Sequence, residues 1–167
     1  MFKAFLERRR LRKTFEQYVS PESARQISDG SFQPPATTTS ERSVEVVFVA
    51  LSAPDAPTYS ERVGVLAQLV AQHGGIVHTL LPVAVFAFGS VSASSPGSHL
   101  AFVAAVQSRF TCAAIVHGSI TAHVGSFGSS EYLEFGFWWP GALDALRQLA
   151  TLSPGDAREL PIERNAF

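Results

Sequence analysis

The chain has 167 residues, of which 46% are hydrophobic and 16% charged, and its formal net charge is -1 at pH 7. This length allows one domain with a buried core and a short appended segment. A chain so close to neutrality lacks the excess of basic residues that nucleic-acid binding requires, so we expect no nucleic-acid partner. The single cysteine, Cys112, excludes an internal disulfide and fits a reducing compartment.

The apolar runs of the sequence are short. The longest, near residues 80–89, is about half the length that a membrane span requires. At the N-terminus a few apolar residues precede the arginines, which is the reverse of the order in a secretory signal. We therefore expect a cytoplasmic protein.

Residues 1–28 are predicted to form an N-terminal helical element. Leu11, Phe15 and Tyr18 follow one another at i, i+4 and i+7, so they share one helix face and are candidates for an interface. The element also carries a basic patch, which consists of Arg8, Arg9, Arg10, Arg12 and Lys13. This patch is either a solvated helix face or a contact with an anionic surface, which would be lipid head groups or a partner.

Residues 29–42 are predicted to be a linker, because they combine glycine, prolines and a polar Thr/Ser run. The folded domain is then expected to cover residues 43–167. Its first element is a strand over residues 44–51, whose nearly continuous apolar sequence is typical of a strand covered on both faces. Pro54 and Pro57 indicate a loop after this strand.

Helix and strand patterns then alternate along the chain. Gly74-Gly75 ends a helix, since glycine adopts the left-handed conformation without a Cβ penalty. The predicted elements are a helix over 61–73, a hairpin with strands at 76–77 and 83–88, a helix over 100–110, a strand or strand pair over 112–124 broken at Gly118, a turn over 125–130, a strand over 132–139 and a helix from Pro140 to about Leu152. Residues after Ser153 are expected to be irregular. This βαββαβ order predicts an α/β (α+β) fold, a ferredoxin-like sandwich.

Several stretches resemble the class III nucleotide cyclase domain, the catalytic domain of adenylate and guanylate cyclases. Residues 15–22, FEQYVSPE, resemble the F-x-x-Y-V-S-P-E element that precedes this domain in many bacterial members. The other similar stretches are the strand at 44–51, the helix end and hairpin at 73–75 and 83–89, and the late strands at 116–118 and 132–136. The resemblance implies the cyclase type of sandwich, a role in bacterial signal transduction and head-to-tail pairing as a homodimer.

The resemblance also implies that the chemistry of the family is missing. Such cyclases use two aspartates to hold two Mg²⁺ ions, which activate the 3′-hydroxyl and neutralise the leaving pyrophosphate. The two positions fall at Ala50 and Pro82 here. This conclusion does not depend on the alignment register, because residues 46–54 and 72–130 contain no Asp or Glu.

The other catalytic positions of the family are also altered. Its base-selecting lysine falls near His78, and its transition-state Asn and Arg fall near Pro140 and Asp144. Arg147 is close in sequence to the position of the family's arginine. Each residue of offset along a helix rotates the side chain by about 100°, so Arg147 would point in a different direction. Asp55 could replace the missing aspartate of the first strand as a metal ligand, but it would lack a second carboxylate to bind the same metal ion. We therefore expect no catalytic residue, no metal ligand and no cofactor.

Other residues give weaker signals. His117 and His123 could share a strand face, but no carboxylate or cysteine is near them in sequence, so structural histidines are favoured over metal ligands. Cys112 has only Arg109 as a neighbouring positive charge, and inert burial is favoured. The sequence contains no P-loop, hydrolase-elbow or Rossmann motif.

Trp138 and Trp139 are adjacent on a predicted strand, so their side chains are expected to point to opposite faces. One would then pack in the core and the other would look outward. An exposed tryptophan is often an interface anchor, and both are retained as interface candidates beside the alternative of a covered core edge.

Together these features predict a catalytically inactive, nucleotide-cyclase-like signalling module that acts by dimerisation and by binding a partner protein. The alternative is a metal-independent sensor of a small molecule or nucleotide that uses the former substrate cleft. Peripheral membrane contact through the basic patch is a further hypothesis, and a residual or altered enzyme is another.

Overall fold

The computed structural model describes most of the chain after residue 38. The described ranges are 39–81, 83–89, 91–92, 94–128 and 133–161. The chain divides into two compact units, residues 1–36 and 37–167, and the described residues belong to the second. The predicted N-terminal element with Leu11, Phe15, Tyr18 and the basic patch lies outside the described residues, as does Pro82.

The described residues form one mainly antiparallel sheet with helices on both faces. In chain order the elements are β1 Thr39–Leu51, α1 Ala56–Gln72, β2 Ile76–Thr79, β3 Ala84–Gly89, α2 Ser98–Arg109, β4 Ala113–Gly128, β5 Leu133–Trp138, α3 Ala142–Ala150 and β6 Ala157–Glu159. The strand order is β2-β3-β1-β4-β5, and β6 pairs with β4 in parallel. Strands β1 to β4 with α1 and α2 have the predicted ferredoxin-like βαββαβ arrangement, which is confirmed.

The core has two layers, one on each face of the sheet. Leu66 of α1 and Phe102 of α2 form one apolar cluster with Val47 of β1. On the opposite face, Leu149 of α3 clusters with Phe48. The prediction that this strand is covered on both faces is therefore confirmed. Each fully buried side chain of this size contributes about 1.5–3 kcal/mol to folding.

Strand β1 begins earlier than predicted. It extends from Thr39, so residues 39–42, which the sequence assigned to the linker, pair with β4 in the register Thr39↔Gly125 to Arg42↔Ala122. Their side chains are exposed. Hydrophobicity therefore does not indicate that these residues form a strand. Their strand conformation follows from backbone pairing with β4.

Helix α1 also begins earlier, at Ala56 instead of residue 61. The Asp55 side chain caps the helix by accepting a hydrogen bond from the Thr58 backbone N–H at 2.8 Å. Pro57 occupies the first turn, where a missing N–H costs nothing. The prediction of a loop at Pro54 and Pro57 was therefore wrong for Pro57, which belongs to the helix start.

Two predictions near the C-terminus were also wrong. Strand β4 runs without a break through Gly118 to Gly128, so residues 125–128 of the predicted turn are strand and pair with β5. Residues 157–159, predicted to be irregular, form β6. This strand is only three residues long and exposed, so neither periodicity nor hydrophobicity marks it.

Candidate functional site

A cleft of about 470 Å³ lies on the α3 side of the sheet. Its lining residues are Phe48, His78, Thr79, Val85, Phe137, Trp138, Trp139, Pro140, Ala142 and Leu143. Strands β2 and β5 are at opposite ends of the strand order, yet the rings of His78 and Phe137 have centroids only 4.4 Å apart. The sheet is therefore curled, and its two ends meet across the cleft.

Gly136 permits this approach. A Cβ at that position would lie 3.0 Å from Cε1 of His78, which is closer than side chains normally pack. A larger residue at this position would require the exposed His78 ring to shift by a few tenths of an ångström. The sequence pattern does not single out this glycine.

The cleft lining is mainly apolar and aromatic. Its polar side chains are His78 and Thr79, and the Thr79 hydroxyl donates to the Leu81 carbonyl at 3.2 Å. No Asp, Glu, Lys or Arg belongs to the lining among the described residues. Such a surface suits an apolar or aromatic group, and it offers a phosphate no Lys or Arg side chain.

Two of the positions that the resemblance assigned to the cyclase chemistry line this cleft. His78 and Pro140 line it. Asp144 and Arg147 do not, and instead form an exposed ion pair at 2.8 Å along α3. Ala50 lies near the end of β1, opposite Ala114 of β4.

Asp55 has a structural role in helix α1. Its hydrogen bonds with Thr58 lower the pKa of the Asp55 carboxyl below the ordinary value. Within the part of the chain that the structure describes, no cluster of three or more His, Cys, Asp or Glu side chains has a geometry that could hold a metal ion.

Trp138 and Trp139 differ in burial, as predicted, although both line the cleft. Trp138 is 54% exposed and Trp139 is 5% exposed within the apolar cluster beneath α3. Trp138 and the exposed Leu143 both line the cleft, and Leu146 is exposed on the same helix. Exposed apolar side chains therefore border the cleft on the β5 and α3 sides.

The structure gives Cys112 a different neighbour from the one expected. Nη1 of Arg62, not Arg109, lies 3.2 Å from the Cys112 sulfur, and the same group donates to the Ser52 carbonyl. Fifty positions separate Arg62 from Cys112, so local sequence carries no signal of this contact.

His117 and His123, considered together from the sequence as possible metal ligands, have different surroundings. His123 is half-exposed, with Nε2 3.7 Å from Glu41 and its ring 5.8 Å from Trp138. His117 is buried beside His99, which in turn contacts Glu45. Both histidines thus have a carboxylate in their surroundings, which the sequence alone did not indicate.

The described residues form a cyclase-like domain. Among solved structures, the adenylyl cyclase CyaB from P. aeruginosa is similar with a TM-score of 0.61 and 12% identity, covering 73% of this chain and 78% of that one. The guanylyl cyclase Cya2 gives 0.54 and 15%, covering 72% and 76%. The catalytic core of a rhodopsin-guanylyl cyclase in complex with ATPαS gives 0.59 and 14%, covering 74% and 80%.

At these identities the likeness establishes the fold. No protein-family model and no curated protein matches the sequence. None of the helices in the described ranges has the length and apolarity needed to cross a membrane.

Proposed function

We propose that this chain is a catalytically inactive, nucleotide-cyclase-like signalling module that acts by dimerisation and by binding a partner protein. The observation that carries the proposal is the chemistry of the cleft. Its described lining contains no Asp, Glu, Lys or Arg, and Ala50 stands near the end of β1 where the cyclase resemblance calls for a metal-binding aspartate. Phosphoryl transfer needs metal ions to neutralise the developing charge, so this site forfeits the main electrostatic contribution to catalysis.

Cyclic-nucleotide production tests the inactivity. The full chain is incubated with ATP or GTP and with Mg²⁺ or Mn²⁺, and we expect no turnover above a buffer control. Asp55→Asn is the informative variant, because asparagine keeps the helix cap but removes the carboxylate. Sustained turnover by the wild-type chain that Asp55→Asn abolishes would overturn the proposal.

Exposed apolar residues beside the cleft support the self-association. Trp138, Leu143 and Leu146 are exposed on β5 and α3, and tryptophan is enriched among residues that dominate binding energy. A stable dimer interface buries about 1,200–2,000 Å² in total, of which this surface would supply the apolar centre. We expect Trp138→Ala to shift the full chain from dimer to monomer in analytical ultracentrifugation.

A matched control separates a specific interface from general stickiness. Leu100 is exposed on α2, which packs on the other face of the sheet, so Leu100→Ala should leave the sedimentation unchanged. A wild-type monomer at all accessible concentrations, or an equal effect of both variants, contradicts the proposed interface.

The second candidate is a metal-independent small-molecule sensor, which the volume and aromatic lining of the cleft favour. Pockets of about 300–1,000 Å³ accommodate small ligands. A ligand present at 100 times its dissociation constant should stabilise the domain by about 2.7 kcal/mol in a thermal-shift screen. Stabilisation that Thr79→Trp abolishes would favour this sensor, since Thr79 lines the cleft without belonging to the buried core and the larger side chain would narrow it.

The basic patch at residues 8–13 carries a separate part of the proposal, a peripheral contact with anionic lipid in the cytoplasm. Sedimentation with vesicles tests it. Binding is expected to rise with the fraction of phosphatidylserine and to fall with salt, since electrostatic attraction to lipid head groups is screened. Sedimentation that is independent of lipid charge would exclude this contact.

A further inference from the structure

Three polar side chains away from the cleft lie together between β1, α2 and β4. Oε2 of Glu45 is 2.8 Å from Nδ1 of His99, and these side chains are only 15% and 7% exposed. Oε1 of Glu45 also accepts a hydrogen bond from the Gly97 backbone N–H at 3.1 Å. One carboxylate therefore hydrogen-bonds the backbone at the α2 N-terminus and contacts the first imidazole of that helix, although this second contact lacks hydrogen-bond geometry.

His117 of β4 adds a second imidazole to this cluster. Its ring centroid is 5.8 Å from that of His99. The His117 side chain is buried, and its Nδ1 atom has no hydrogen-bond partner among the described residues. The titratable groups around the two rings are Glu45 from β1 and the exposed Glu159 from β6, which is paired with His117 across the strands.

The charges of the cluster do not balance when both rings are protonated. The buried carboxylate of Glu45 compensates one imidazolium, and its contact is with His99. A second positive charge on His117 would be buried beside the first, where water screens the repulsion poorly. Only the solvent-exposed Glu159 would oppose that repulsion.

The geometry points to an acid-sensitive contact, in which protonation of His117 beside His99 and Glu45 loosens the packing of α2 against β4. Burial, and next the neighbouring His99, lower the pKa of His117 below the ordinary histidine value, while Glu159 acts in the opposite direction. The unfolded chain therefore binds this proton more readily than the folded chain. Stability from the neutral ring is present above the ordinary histidine pKa and is lost as the pH falls below it towards the lower pKa of the folded state.

Urea unfolding of the full chain between about pH 5 and pH 8 tests this inference. A single linked proton changes the unfolding equilibrium constant by at most about tenfold per pH unit. The wild-type chain is expected to lose stability towards acid within this limit, and His117→Gln should flatten the dependence. His123→Gln is the matched control, because it removes a half-exposed histidine from the same strand and should leave the slope unchanged.

Local measurements keep the inference testable if His117→Gln fails to fold. Amide hydrogen exchange at residues 97–99 should accelerate in acid before exchange in β3 does. Ring NMR signals of wild-type His117 should titrate below the ordinary histidine range. The inference would be overturned if His117→Gln left the dependence of unfolding free energy on pH unchanged, or if His123→Gln changed it equally. Titration of His117 at or above the ordinary histidine pKa would also overturn it.

Discussion

Replacing Gly141 by alanine is expected to destabilise the domain through a steric conflict beneath α3. A Cβ at this position would lie 2.3 Å from Cζ2 and 2.6 Å from Cε2 of Trp139. The Trp139 ring is buried among Phe48, Leu149 and neighbouring core residues, so it cannot swing into solvent. Overpacking of this kind costs about 1–3 kcal/mol, and it adds to the loss of up to about 1 kcal/mol that alanine causes in place of glycine at the helix N-cap.

Gly64→Ala is the matched control within the same chain. Gly64 lies inside α1, and a Cβ there would meet nothing within 4 Å. Alanine is the better helix former, so this change should stabilise the domain by about 0.5–1 kcal/mol. The same chemical substitution is therefore expected to have opposite signs at the two sites.

Urea denaturation followed by circular dichroism measures both variants. The denaturation midpoint should fall for Gly141→Ala and rise for Gly64→Ala, with the slope against urea unchanged. A Gly141→Ala midpoint equal to that of the wild-type chain would refute the close packing of Trp139 under the start of α3. A lowered midpoint for Gly64→Ala would refute the assignment of open space around α1.

Three further changes probe other parts of the domain. Phe102→Ala should cost about 3–5 kcal/mol, because this fully buried ring lies between two phenylalanine rings at 5.0 and 5.3 Å; a loss under about 1 kcal/mol in urea denaturation would contradict this packing. Leu160→Ala should cost about 2–5 kcal/mol, since Leu160 belongs to the core although it follows an exposed strand; an unchanged midpoint would mean that the C-terminal segment contributes little. Asp55→Ala should lower stability at neutral pH by removing the cap on Thr58. Because its hydrogen bonds lower the pKa of Asp55, that contribution is present above the ordinary carboxyl pKa and lost as the pH falls through the folded one, so variant and wild type should converge in acid; a constant difference at every pH would argue against the cap.

The fold was predictable where hydrophobic pattern and element order coincide. Residues 44–51 are apolar at nearly every position, and this strand is the centre of the sheet with both faces covered. Gly74-Gly75 marked the helix end before the hairpin. Boundaries failed where backbone pairing or capping defined them, as in the exposed residues 39–42 and in the helix start at Asp55.

The candidate site was less predictable, because it depends on contacts between distant parts of the chain. His78 was singled out by its sequence position, but its ring contact with Phe137 requires the curl of the sheet, and its close approach to Gly136 is visible only in the structure. The contact of Glu45 with His99 joins residues that are far apart in sequence and separated by two strands and a helix. Periodicity reports that a segment is buried and says nothing about which distant segment covers it.

The adjacent tryptophans have a practical spectroscopic consequence. They are the only two in the chain, and one is half-exposed while its neighbour is buried. Intrinsic emission should therefore resolve into a fraction that aqueous acrylamide quenches readily and a blue-shifted fraction that it quenches poorly. Binding of another molecule over β5 would protect Trp138 from acrylamide, so the readily quenched fraction of the emission would decrease. Disruption of the core beneath α3 would instead shift the emission of Trp139 to longer wavelength. A single unlabelled sample thus distinguishes binding over β5 from rearrangement of the core beneath α3.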